Sequence, residues 1–105
     1  MLIRLLNWRL NIRKMERKNI IPKLTINRNS IVPKYKQLIQ GILCIMEQGE
    51  IMQHDILPSI HQLCTGLEVS RNTVEKAYSK LKLKGIIGSV HGKGFFCTAN
   101  QNQTL

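Results

Sequence analysis

The sequence predicts a mainly α-helical domain with a small β-hairpin: three helices, then two short strands. Three observations predict it. Apolar residues recur at three- and four-residue spacing in three separate stretches. Two of those stretches open on a serine placed to cap a helix, and a glycine-rich turn joins two β-prone runs in "KGIIGSVHGKGFF", Lys84 to Phe96. At 105 residues the chain suits one small domain with a single core.

The first helix is expected to begin at Pro33, which suits a first helical turn. It carries Tyr35, Leu38, Ile39, Ile42, Ile45 and Met46 on one side and stops at Gly49. The next stretch, "GEIMQHDILPS", has no helical period and reads as a connector with one short strand at residues 56–57. Ser59 then opens a second helix. Gln62 stands three positions on, so serine and glutamine can satisfy each other's free backbone donors, and Ile60, Leu63 and Cys64 form the buried side up to about Gly66.

In "VSRNTVEKAYSKLKLKGII", Val69 to Ile87, Ser70 can cap a third helix whose apolar stripe is Val74, Ala77, Tyr78 and Leu81. Two helices joined by about four residues, the second of them basic, resemble the helix-turn-helix, whose second helix lies in the major groove with its first residues on base edges. The recognition helix would span about residues 70–84. Its first turn holds Arg71, Asn72 and Thr73. Arginine can grip two acceptors of guanine, asparagine can pair with adenine, and threonine can serve a base, a thymine methyl or the backbone. Lys76, one turn on, is counted with them. Lys80, Lys82 and Lys84 complement the negative end of the helix and rank below Arg71 as contacts. The hairpin over residues 86–97 makes a wing with His91 and Lys93 at the tip of a four-residue turn, able to lie along a minor groove or the backbone. The glycines do not make a nucleotide-binding loop, because Gly94 leads into Phe95 and Phe96 rather than into a helix.

Charge agrees with this division. Sixteen Lys and Arg against six Asp and Glu give a formal net charge of +10. Residues 1–36 hold ten basic groups and one acid, residues 37–70 four acids and no Lys or Arg, and residues 71–93 six basic groups and one acid. Such a chain favours polyanions, with one face turned toward phosphates and one away. Residues 1–19 read as a basic extension: either a disordered arm or a stretch translated only if Met1 rather than Met15 is the start. Arg4, Arg9 and Arg13 interrupt any apolar run there, which excludes a standard signal peptide or membrane span. Residues 20–32 read as an extended arm and 98–105 as a polar tail.

Cys44, Cys64 and Cys97 have no zinc spacing, so reduced thiols in a cytoplasmic protein are expected, with Cys44 and Cys64 buried on helix faces and no metal or cofactor. For an enzyme, the nucleophile pairs would be Cys64 with His61 or Cys97 with His91. Neither has an orienting acid nearby, so no catalysis is expected.

From Pro33 to Phe96, the combination "LPS", "VSRNTV" and "GKG" resembles the winged helix-turn-helix of GntR-type bacterial transcription regulators. The resemblance implies sequence-specific operator binding, usually by a homodimer on a palindrome, under a C-terminal effector domain. The eight residues after Cys97 leave no room for that domain, so no effector ligand is expected. A winged-helix module that binds protein instead of DNA is the alternative. By position, the family's recognition arginine falls on Arg71, its wing-tip contact on His91 beside Gly92 and Gly94, and its cap of the second helix on Ser59. His61 stands where the family usually has an arginine, and Glu75 replaces another. His54 takes the place of a turn glycine and tolerates a positive φ. The residues expected to bind double-stranded DNA in the domain over 33–97 are therefore Ser59, His61, Ser70, Arg71, Asn72, Thr73, Lys76, His91, Gly92, Lys93 and Gly94.

Overall fold

The computed structural model describes residues 19–92 and 94–98. The expectations for residues 1–18 and for the tail from 99 onward fall outside them. Three helices, α1 (Lys34–Glu47), α2 (Ile60–Leu67) and α3 (Arg71–Leu83), are followed by an antiparallel pair, β1 (Ile87–Val90) and β2 (Gly94–Cys97). A 3-10 turn at Ile21–Lys23 precedes them.

Helix α1 starts one residue later than the sequence suggests. Pro33 is its N-cap, with ψ 147°, and the proline carbonyl accepts from the amides of Lys36 and Gln37. Leu38, Ile42, Ile45 and Met46 are buried as the period requires, and Gly49 takes φ 79° just beyond the helix end. Cys44 corrects the expectation of burial: it is exposed. Six positions after Leu38, at roughly 100° per residue, it lies well off the buried stripe. Cys64 is half-buried and Cys97 buried.

Helix α2 opens on the expected reciprocal cap. Ser59 Oγ accepts from the Gln62 amide at 3.1 Å, and Gln62 Oε1 accepts from the Ser59 amide at 2.9 Å. The helix runs to Leu67 rather than to Gly66, because Glu68, at φ 55°, takes the left-handed capping position. Gly66 serves another purpose. A Cβ there would stand 2.8 Å from Ile21 Cγ2, so the glycine admits the 3-10 turn against the helix. The Arg28 guanidinium donates to the carbonyls of Leu67 (3.0 Å) and Glu68 (2.8 Å), satisfying the end of α2 from residues about forty positions earlier.

Residues 20–32 are consequently not a simple extended arm. Ile20 and Leu24 are buried in the core, and Leu24 sits so close to Gly41 that a Cβ there would meet it at 2.8 Å. The surface that draws this stretch inward belongs to distant parts of the chain. Lys23 also pairs with Glu50.

In α3 the expected stripe of Val74, Ala77, Tyr78 and Leu81 is buried throughout. These side chains meet α1 and α2 in one core with Leu38, Ile42, Leu57, Leu63 and Ile87. Tyr78 ties helix to wing: its hydroxyl donates to the Pro58 carbonyl at 2.5 Å, and its ring lies 4.5 Å from that of Phe95. The strands pair Ile87 with Cys97 through to Val90 with Gly94, a register that shortens the expected four-residue turn. Gly94 is a strand residue, and Gly92 supplies the positive φ of the turn, 83°. The strand expected at residues 56–57 reduces to one bridge, Ile56 to Phe96. The Leu57 amide bonds the Phe95 carbonyl at 2.8 Å, and the Cys97 amide bonds the Asp55 carbonyl at 2.9 Å. His54 does take the left-handed conformation, φ 77°.

Candidate nucleic-acid interface

The first turn of α3 is built by its cap. Ser70 Oγ accepts from the Thr73 amide at 3.2 Å and shares a hydrogen bond with Thr73 Oγ1 at 2.9 Å. Thr73 is half-buried and its hydroxyl is engaged locally, so Ser70 and Thr73 shape the turn. Arg71 and Asn72 project from it into solvent. They do so because Val74, Ala77 and Tyr78 lock the opposite side of the helix into the core. Arg71 is anchored at one point: its Nε donates to Glu75 Oε2 at 2.8 Å, one turn along.

Farther along α3, Lys76 is exposed and its ammonium stands 4.2 Å from the centre of the Tyr35 ring on α1; that of Lys80 is at 5.7 Å. A cation over an aromatic face is held electrostatically and keeps its remaining donors outward. Lys82 Nζ donates to Ser89 Oγ at 2.7 Å, tying α3 to strand β1 of the wing. His91 and Gly92 are exposed at the wing tip and Gly94 is half-buried where β2 begins. Lys93 lies outside the described residues. His61 is exposed on the first turn of α2, whereas Ser59 is half-buried and its hydroxyl is occupied by the reciprocal cap.

Of the residues expected from sequence, then, Arg71, Asn72 and Lys76 share α3 with free access to solvent, and His91 and Gly92 form a second exposed group on the hairpin. Ser59, Ser70 and Thr73 spend their polar atoms within the protein. Of the pairs considered for nucleophilic chemistry, Cys97 and His91 are held apart: Cys97 is buried at the base of the hairpin opposite Ile87, and His91 is beyond its other end. Among the described residues no three His, Cys, Asp or Glu side chains cluster as metal ligands, and no helix is long and apolar enough to cross a membrane. Sequence reasoning missed Glu75 as the partner of Arg71, although the i,i+4 spacing signals such a pair. It also missed Tyr35, Ser89 and Arg28, whose partners no local pattern reveals.

Comparison with known proteins places this arrangement. Residues 34–97 match the family described as "Bacterial regulatory proteins, gntR family". The chain is 35% identical over 82 residues to the HTH-type transcriptional repressor YtrA of Bacillus subtilis, covering 78% of this chain and 63% of that one. It is 30% identical over 69 residues to the arabinose metabolism transcriptional repressor of Geobacillus stearothermophilus, covering 66% of this chain and 19% of that one. The chain thus spans less than two-thirds of either. Among solved structures, YtrA from Sulfolobus acidocaldarius, a GntR-family transcription factor, aligns with a TM-score of 0.69 at 33% identity, over 74% of this chain and 82% of that one. The AraR DNA-binding domain, solved in complex with an operator, aligns at 0.64 and 32% identity, over 71% and 93%. Three helices, a two-stranded wing and a family match over nearly all of them carry one conclusion: the chain belongs to the GntR family of bacterial regulatory proteins and folds as its winged helix-turn-helix.

Proposed function

We propose that this protein is a sequence-specific DNA-binding transcription regulator. Helix α3 enters the major groove with Arg71 and Asn72 on base edges, and the wing rests on the minor groove or backbone through His91, Gly92 and Lys93. The observation that carries this reading is the first turn of α3: two side chains suited to guanine and adenine stand exposed on a helix whose other face is immobilised. Ser59, Ser70 and Thr73 contribute by fixing the helix ends that present α2 and α3 to the duplex. Gly94 opens strand β2 beside the wing turn, and Lys76 and His61 are the residues proposed to meet the backbone. The operator complex of the similar AraR domain supports double-stranded DNA as the partner.

The test is selection of bound duplexes from a randomised library with the full chain at low salt, followed by titration of the recovered site and of a scrambled duplex. A recovered consensus bound far more tightly than its scrambled version supports the reading, and its symmetry reports how many copies of the chain bind. Failure to enrich any sequence, with retention indifferent to salt, would instead favour a winged-helix module that binds protein.

A further inference from the structure

We infer that Glu75 is a specificity-determining residue that positions Arg71 for a single guanine. The inference rests on the DNA-binding reading above. A guanidinium presents its five N–H donors along two useful edges: the side edge, Nε with one terminal nitrogen, and the end edge, with both terminal nitrogens. Glu75 Oε2 takes Nε at 2.8 Å and so occupies the side edge. The end edge is left free, and it spans the O6 and N7 acceptors that guanine displays in the major groove.

The other cation beside this carboxylate in sequence is drawn elsewhere, for Lys76 lies over the Tyr35 ring. Glu75 is therefore left to Arg71. In free protein the two side chains are 68% and 43% exposed, and a pair so open to water stabilises the fold little. Its effect emerges when a duplex covers it. Expulsion of water lowers the local dielectric and strengthens the contact at the moment the base is read. A carboxylate in the groove also repels nearby phosphates, and an Arg71 with no guanine opposite it leaves its end-edge donors without acceptors. Glu75 then acts against wrong sequences as well as for the right one.

The experiment uses the full chain, the duplex recovered by selection and a copy in which the guanine read by Arg71 is replaced. That guanine is the position at which Arg71→Ala no longer discriminates. Glu75→Ala should lower the affinity ratio between the two duplexes on the order of tenfold while tightening binding to a random duplex. Glu75→Gln, which keeps a neutral acceptor and the side-chain volume, should lower it less, and in an Arg71→Ala background Glu75→Ala should change it no further. Wild-type discrimination by both Glu75 variants, or an equal loss with and without Arg71, would overturn the inference. A discrimination that falls with Arg71→Ala but not with Glu75→Ala removes only the role of Glu75. A selection that yields no site, or a ratio unmoved by Arg71→Ala, removes the DNA-binding reading itself.

Discussion

At the scale of single residues, position on α3 decides whether a side chain serves the core or the surface. Arg71 and Leu81 lie on one helix, yet the first is exposed and the second has no accessible surface. Leu81→Ala should therefore cost about 2–5 kcal/mol of stability, measured by denaturant unfolding, because the side chain it removes is fully buried in the core. Arg71→Ala should leave the unfolding midpoint nearly unchanged and cost about 1–3 kcal/mol of binding at the selected site, measured by fluorescence anisotropy. The exposure of Arg71 and Asn72 was legible in the sequence, since the stripe of Val74, Ala77, Tyr78 and Leu81 fixes which side faces out. The Arg71–Glu75 pair was legible in spacing alone. The burial of Cys44 was misread, because an apolar residue next to a stripe is not on it.

At the scale of elements, the two serine caps decide where helices begin. Ser70→Ala would leave the Thr73 amide without its partner and remove the hydroxyl that holds Thr73 Oγ1. It should cost about 0.5–2 kcal/mol of stability, read from the shift in thermal midpoint. Ser59→Ala should cost a similar amount, through one half of a reciprocal cap. Both caps are local patterns, so sequence reveals them. The docking of residues 20–32 is not local: Ile20 and Leu24 are buried, a Cβ on Gly66 would meet Ile21, and Arg28 reaches carbonyls 39 and 40 positions away. Periodicity in a short segment says nothing about surface supplied by distant helices, which is why that stretch reads as an arm. The wing was legible from its glycines, but its length was not, because register rather than composition assigns Gly94 to the strand.

At the scale of the whole molecule, an acidic middle and a basic α3 and wing give a polarised charge, and the wing is braced against α3 by Lys82 with Ser89 and by Tyr78 with Phe95. Affinity should accordingly fall steeply with salt, by about 0.9 decades per decade of salt for each phosphate contacted, and Lys82→Ala should weaken all duplexes about equally. The central claim is that the first turn of α3 and the wing tip meet DNA together. Amide chemical shifts of the isotopically labelled chain, followed while the selected duplex is added, test it most directly. The account predicts that the largest shifts fall on Arg71, Asn72 and Thr73 and on His91 and Gly92, with the outward side of α1 around Cys44 unchanged. Shifts concentrated on α1, with the start of α3 and the wing tip unmoved, would contradict it.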